Sequence, residues 1–232
     1  MALRQPAPEE PTRYASFHVI EAPALVEPSF YGRFGKRAFD LAVSLVLLVL
    51  LSPVIVLLAV LVVATSGFPA FYGATRIGKD GRPFRMWKLR TMVRDADAII
   101  EYWKRKGTEE GVIYLQSYKL RNDPRITPVG KVLRKTSLDE LPQLFNVLRG
   151  DMSLVGPRPY YLSEVESYPD FHDALIQVRP GITGPWQVGG RNELSPGERM
   201  EIDEEYIATY TAGRDFVYLL KTAVHLTRAD GL

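Results

Sequence analysis

The hydrophobic pattern of the chain is dominated by one stretch, LAVSLVLLVLLSPVIVLLAVLVVAT from Leu41 to Thr65, with no charge between Asp40 and Arg76. An uncharged apolar run beyond about 18 residues is long enough to enter a bilayer core. The alternative is the buried central helix of a soluble domain, but such helices usually keep a polar face. Ser52-Pro53 lies at the middle of the run. Proline removes a backbone donor and clashes with the preceding turn, so a helix there kinks or ends. Arg33, Lys36 and Arg37 precede the stretch, and Arg76, Lys79, Arg82, Arg85, Lys88 and Arg90 follow it. Positive flanks mark the cytoplasmic side. A kinked spanning helix and a re-entrant segment that turns back at Ser52-Pro53 are both open, and the charge on both flanks favours the second. In that case the Ser52 hydroxyl can satisfy a backbone carbonyl freed by the break.

The rest of the pattern divides around this element. Residues 1–30 are rich in proline, alanine and glutamate without a sustained period, which predicts a loosely structured arm. Residues 31–70 form a basic lead-in plus the apolar segment, with Arg33, Lys36 and Arg37 expected at headgroup level against anionic lipid. Residues 71–232 are expected to form one cytosolic domain. There, FYGATRI and FRMWKLRT read as strands around the turn Lys79-Asp80-Gly81, a β-hairpin. Asp95 to Tyr118 reads as helix with a solvated face, and Arg121 to Pro128 as a polar connector. Glu198 to Tyr210 and Phe216 to Leu226 read as two helices. Phe216, Leu219, Leu220, Ala223 and Val224 on one side of the second suit either the membrane interface or the domain core. The expected class is α+β: a small, mostly helical cytosolic domain with a hairpin, anchored by a Pro-broken re-entrant helix and interfacial amphipathic helices.

Composition narrows the chemistry. The 29 basic and 27 acidic residues leave a formal net charge of +2, which gives no reason to expect nucleic acid. With no cysteine, disulfides and thiolate metal sites are excluded, in keeping with a domain on the reducing side of a membrane. The three histidines, His18, His172 and His225, are scattered, which argues against a histidine-bound metal. Arg4, Glu9, Glu10 and Arg13 precede any apolar run, unlike a signal peptide.

The densest chemical stretch is GKVLRKTSLDELPQLFNVLRGDMSLVGPRP, residues 130–159. Ser137 as N-cap with Glu140 reciprocating from N3 predicts a capping box ahead of an apolar helix. That explains Glu140 but not Asp139. A second carboxylate in a helical first turn could bind a divalent cation or attack phosphorus. Gly156 and Pro157 fix the backbone before Arg158, which can grip a phosphate in bidentate fashion or make a surface ion pair. VRPGITGPWQVGGRN repeats glycine and proline between Arg179 and Arg191; it suits a nucleotide diphosphate, although no Walker-type or paired-glycine motif is present.

Taken in order, these motifs resemble the bacterial sugar transferases, also called monotopic phosphoglycosyl transferases. The likeness covers about Phe34 to Thr222. It rests on the basic lead-in with Asp40, the Ser52-Pro53 break, Arg76 with Gly78, Lys88 to Met92, Arg134, Ser137 to Gln143, Gly150 to Pro159, and Pro180 to Arg191. The resemblance implies transfer of a sugar 1-phosphate from a nucleoside diphosphate sugar, in particular a UDP-sugar, to polyprenyl (undecaprenyl) phosphate. It implies Asp139 as the nucleophile that forms a covalent phosphosugar intermediate, Glu140 as its assistant, and Mg2+ at Asp139. Arg158 is then the leading phosphate ligand, with Lys88, Arg134, Arg191, Arg76 and Arg90 in support. It further implies a bacterial inner-membrane protein with its site on the cytoplasmic face, a re-entrant helix broken at Ser52 and Pro53, and membrane lipid as a partner. A homo-oligomer is compatible with the sequence.

Two features depart from the family's pattern. Ala74 stands where a glutamine is common, and the segment from Asp95 to Tyr118 is longer than in the smallest members. The large N-terminal membrane region of the longest members is not expected. Two other functions are weighed: a non-catalytic membrane adaptor, against which the Asp139-Glu140 pair argues, and a hydrolase that cleaves the nucleotide sugar with water.

Overall fold

The computed structural model describes residues 31–117, 120, 123–189 and 194–228. The expected N-terminal arm and Arg191 lie outside them. Tyr31–Gly35 forms one π-helical turn that runs directly into helix α1, Lys36–Ser66. The helix continues through Pro53. Because Pro53 has no N–H to offer the carbonyl of Val49, the Ser52 hydroxyl donates to it instead, at 2.9 Å.

The side chains of α1 exclude the reading of a buried soluble helix. Its buried residues are Asp40, Ser44, Ile55 and Val62, whereas Leu45, Val46, Val49, Leu50, Leu57 and Val60 are exposed. So much contiguous apolar surface is foreign to a water-facing helix. Among the described residues, this is the one helix long and apolar enough to cross a membrane.

Both ends of α1 are tied to the same globular domain. Near the start, Phe39, Val43, Leu47, Leu48 and Leu51 pack on the main core, and near the end Leu58, Ala59 and Val62 pack with Leu89 and Leu133. The lead-in cations differ from expectation. Lys36 Nζ donates to the Val155 carbonyl at 2.9 Å and pairs with Asp215 at 2.6 Å; Arg37 donates to the carbonyls of Val147 and Leu148. A cation beside free carbonyls and a buried carboxylate is better served there than in headgroups. Of the three residues expected at the lipid surface, Arg33 alone is exposed.

The hairpin is as the alternation predicts. Strand β1, Phe71–Ile77, pairs antiparallel with β2, Pro83–Leu89, setting Tyr72 opposite Lys88 and Arg76 opposite Phe84. Asp80, at φ 58, makes the turn. Two helices follow, α2 (Ala96–Lys106) and α3 (Glu109–Ser117), separated by the left-handed Gly107; Ile100 and Trp103 of α2 face inward. Helix α4, Pro128–Lys135, is capped by Thr127, whose hydroxyl accepts from Gly130 N. Then come α5 (Gln143–Arg149), β3 (Ser153–Val155), α6 (Leu162–Glu166) and α7 (Pro169–Leu175). Strand β4 (Gly181–Thr183) pairs parallel with β3, and α8 (Pro185–Gly189) follows.

The two helices expected near the end are α9, Pro196–Thr209, and α10, Ala212–Arg228. Of the two readings offered for helix α10, packing on the core holds for part of its face. Tyr218 and Leu219 pack on the core, while Phe216, Val217, Leu220 and Val224 remain exposed.

Candidate active site

Asp139 sits on a 3-10 turn, Leu138–Glu140, between α4 and α5. The predicted capping box does not form. Ser137 adopts a left-handed conformation (φ 56) with no side-chain cap bond, and α5 starts only after Pro142. Glu140 turns instead to Lys88 of β2, with Nζ to Oε1 at 2.6 Å. A charge-assisted bond across two elements outweighs a local cap, and Pro142 is already suited to open a helix.

Released from capping, the turn buries Asp139, which is 6% exposed, and among the described residues it has no ion-pair partner. Burial raises its carboxyl above the usual carboxylate range. Lys88 pulls it back down, Glu140 pushes it up, and Arg134 lowers it. Arg134 Nε donates to the Thr91 hydroxyl at 2.8 Å. That contact needs α4 to ride close on the end of β2: a Cβ on Gly130 would meet the Thr91 carbonyl oxygen at 2.0 Å. Asp139, Glu140, Lys88 and Arg134 thus form one cluster, a buried carboxylate flanked by two cations and a second acid.

Arg76 and Arg158 form a second group. Arg76 is stacked 3.2 Å from the ring centroid of Tyr161, and burial and the nearby Arg158 both oppose its charge. Arg158 lies over Trp186 at 5.7 Å, and Arg199 over the same indole at 4.9 Å. The loop that carries Arg158 is seated against the one before β4, since a Cβ on Gly156 would meet the Arg179 carbonyl oxygen at 2.7 Å. Tyr72 and Arg76 are four positions apart on one face of β1, and Tyr72 faces Lys88. The backbone positions of Arg76 and Lys88 are therefore about 13 Å apart along the hairpin.

Arg90 goes elsewhere. Its guanidinium donates to the Ser66 carbonyl at 2.7 Å and to the Gly67 carbonyl, closing the C-terminus of α1. Ala74, at the position where glutamine was noted as common, is buried in the core opposite Met86. Sequence reasoning missed Tyr161, Trp186, Arg199 and Asp203. The available signal was the start of α9, where Ser195 and Glu198 form a capping box and Arg199 and Asp203 follow one turn apart.

A long helix with an exposed apolar face, a buried carboxylate flanked by cations and a group of arginines thus belong to one domain. A profile of the bacterial sugar transferases matches residues 31–229, and the chain belongs to that family. It is 44% identical over 199 residues to the undecaprenyl-phosphate galactose phosphotransferase of Salmonella typhimurium, covering 86% of this chain and 42% of that protein. It is 42% identical over 223 residues to the exopolysaccharide production protein ExoY of Rhizobium meliloti, covering 94% and 98%. A third relative is the UDP-glucose:undecaprenyl-phosphate glucose-1-phosphate transferase of Escherichia coli, 38% identical, covering 82% and 39%. The chain thus spans about two fifths of the Salmonella and Escherichia coli proteins and nearly all of ExoY.

Proposed function

We propose that this protein transfers a sugar 1-phosphate from a nucleoside diphosphate sugar, a UDP-sugar by its relatives' names, to undecaprenyl phosphate, the first step of an exopolysaccharide or related lipid-linked glycan. The observation that carries the reading is the buried Asp139 between Lys88, Arg134 and Glu140.

In the proposed sequence, a carboxylate oxygen of Asp139 attacks the sugar-bearing phosphorus. The bond from that phosphorus to the nucleoside phosphate breaks, and nucleoside monophosphate leaves with the electron pair. A phosphate oxygen of undecaprenyl phosphate then attacks the same phosphorus, the acyl phosphate bond breaks, and Asp139 is regenerated as carboxylate. Repulsion between carboxylate and phosphate is offset by Lys88 and Arg134 near Asp139, and by Arg76 and Arg158 further along the hairpin. The backbone spacing of about 13 Å between the Arg76 and Lys88 positions leaves room for an extended nucleotide sugar.

Mg2+ is compatible with the donor set. Asp139 and Glu140 are adjacent, and magnesium is commonly held by one or two carboxylates plus substrate phosphates. Bound there, it would neutralise diphosphate charge. Among the described residues no three His, Cys, Asp or Glu side chains cluster, so substrate oxygens and water would complete its coordination.

A re-entrant course for α1 is part of this reading. It is supported by the anchoring of Lys36 and Arg37 at one end, and of Ser66 and Gly67 at the other, to one domain. A membrane-facing site beside that domain, on the cytoplasmic face of the inner membrane, gives Asp139 access to a lipid phosphate.

Purified enzyme with undecaprenyl phosphate, Mg2+ and a panel of nucleotide sugars is expected to release nucleoside monophosphate continuously when the lipid is present, and no more than one equivalent per enzyme without it. The Asp139→Asn variant should lose turnover, and mass spectrometry of wild type quenched without lipid should find a phosphosugar on the Asp139 peptide. Release that continues beyond one equivalent per enzyme without lipid would mark a hydrolase. No release from any sugar, or full release by Asp139→Asn, would sink the assignment.

A further inference from the structure

Asp203 of α9 is 0% exposed and forms no salt bridge among the described residues, although the charge of Arg158 acts on it. Two hydrogen bonds converge on one of its oxygens, and the Trp186 indole also acts on the carboxyl. Oδ2 accepts from the backbone N–H of Arg158 at 3.1 Å and from the Tyr160 hydroxyl at 2.9 Å. The Tyr160 carbonyl in turn accepts from Ile77 N–H at 3.1 Å, the residue after Arg76. One carboxyl oxygen therefore fixes the backbone of Arg158 directly and the Arg76 end of β1 through Tyr160.

A buried acid without a salt-bridge partner is costly, and an apolar side chain of similar size would pack there more cheaply. Packing thus gives no reason for an acid at this place. Backbone holding does: Arg158 stands between Pro157 and Pro159, whose nitrogens carry no hydrogen, so its own N–H is the donor by which the middle of this turn can be gripped. We propose that Asp203 is a positioning residue. It holds the turn Gly156 to Tyr161 so that the guanidinium groups of Arg158 and Arg76 meet the donor's diphosphate together. This inference rests on the donor reading given above.

The test compares Asp203→Leu, which removes the acceptor, with Asp203→Asn, which keeps one oxygen for both donors. Affinity for UDP is measured by calorimetry in detergent alongside donor KM, kcat and amide hydrogen exchange over residues 156–161. Asp203→Leu should weaken UDP binding and raise KM about ten-fold, with kcat changed much less and exchange faster. Asp203→Asn should restore binding to within about two-fold of wild type. In an Arg158→Ala background, Asp203→Leu should weaken binding markedly less than it does in wild type, because the principal group it positions is already gone.

Wild-type UDP affinity in a folded Asp203→Leu protein would overturn the inference, as would full multiplication of the two effects or failure of asparagine to rescue. If Asp203→Leu does not fold, Tyr160→Phe takes its place with a smaller loss expected, and an unchanged affinity there counts against the proposal. If wild type turns over no nucleotide sugar, the donor reading falls. Calorimetry with inorganic pyrophosphate and the exchange data then still decide the role of Asp203.

Discussion

Lys88 Nζ lies 2.6 Å from Glu140 Oε1, bridging β2 to the turn that carries Asp139. The pair sets opposing influences on one carboxyl: Lys88 lowers the Asp139 pKa and Glu140 raises it, against the larger upward effect of burial. In the proposed mechanism the ionised carboxylate is the nucleophile, so activity should rise with pH as Asp139 loses its proton. Lys88→Met is expected to move that rise to higher pH and to lower kcat/KM by about 10²-fold near neutrality. Glu140→Gln is expected to move it to lower pH, with a reduced maximum rate. A pH profile of nucleoside monophosphate release checks both. Shifts of the same sign in the two variants would contradict this electrostatic picture.

Stability should respond to pH through the same physics. Burial pushes the Asp203 carboxyl from 3.8 up to about 7. The folded state therefore keeps a proton that the unfolded chain releases near pH 4. The corresponding stability is complete below about pH 4 and is lost as pH climbs to about 7. Asp139 adds a slope of the same sign. Thermal unfolding in detergent should show Asp203→Asn gaining on wild type as pH rises from about 4 to about 8. A constant difference across that range would mean that Asp203 does not titrate in the folded protein.

Close approach makes the next prediction. A Cβ on Gly130 would sit 2.0 Å from the Thr91 carbonyl oxygen and 2.9 Å from the Thr127 hydroxyl. Gly130→Ala should push α4 away from β2, at a cost of about 1–3 kcal/mol or somewhat more. The Arg134 to Thr91 bond should suffer with it. Reduced thermal stability together with lower turnover is the expected pair of results, measured on the same preparation; an unchanged melting midpoint would speak against so tight a contact.

Local chemistry made parts of this fold legible and hid others. The apolar run, the hairpin around Asp80 and the helices of residues 96–117 follow from period and turn residues, which act over short distances. The capping box at Ser137 was misread because its rival, Lys88, is distant in sequence and close only in space. Lys36 and Arg37 looked like lipid-facing charges for the same reason, since the carbonyls and the carboxylate that hold them come from β3, α5 and α10. At the site, Asp139 and Arg158 could be named because adjacent acids and a rigid arginine turn are visible locally, whereas Lys88 and Arg134 followed only from the family resemblance. Asp203 could not, because an acid four residues after an arginine on a helix also describes an ordinary solvated face.

Topology gives the last prediction. Hydropathy of α1 alone fits a spanning helix, whose ends would face opposite compartments. Yet Arg90 holds the carbonyls of Ser66 and Gly67, while Lys36 and Arg37 are held by Val155, Asp215, Val147 and Leu148. One compact domain cannot lie on both sides of a bilayer, so these attachments support the proposed course with both ends on one face. The chain has no cysteine, so single substitutions can be labelled without background. Arg33 and Lys79 are exposed and flank the segment. Arg33→Cys and Lys79→Cys should both resist a membrane-impermeant maleimide applied to the periplasmic side, and both should react once the inner membrane is opened. Labelling of one site and protection of the other would place the ends on opposite faces and rule out the re-entrant course.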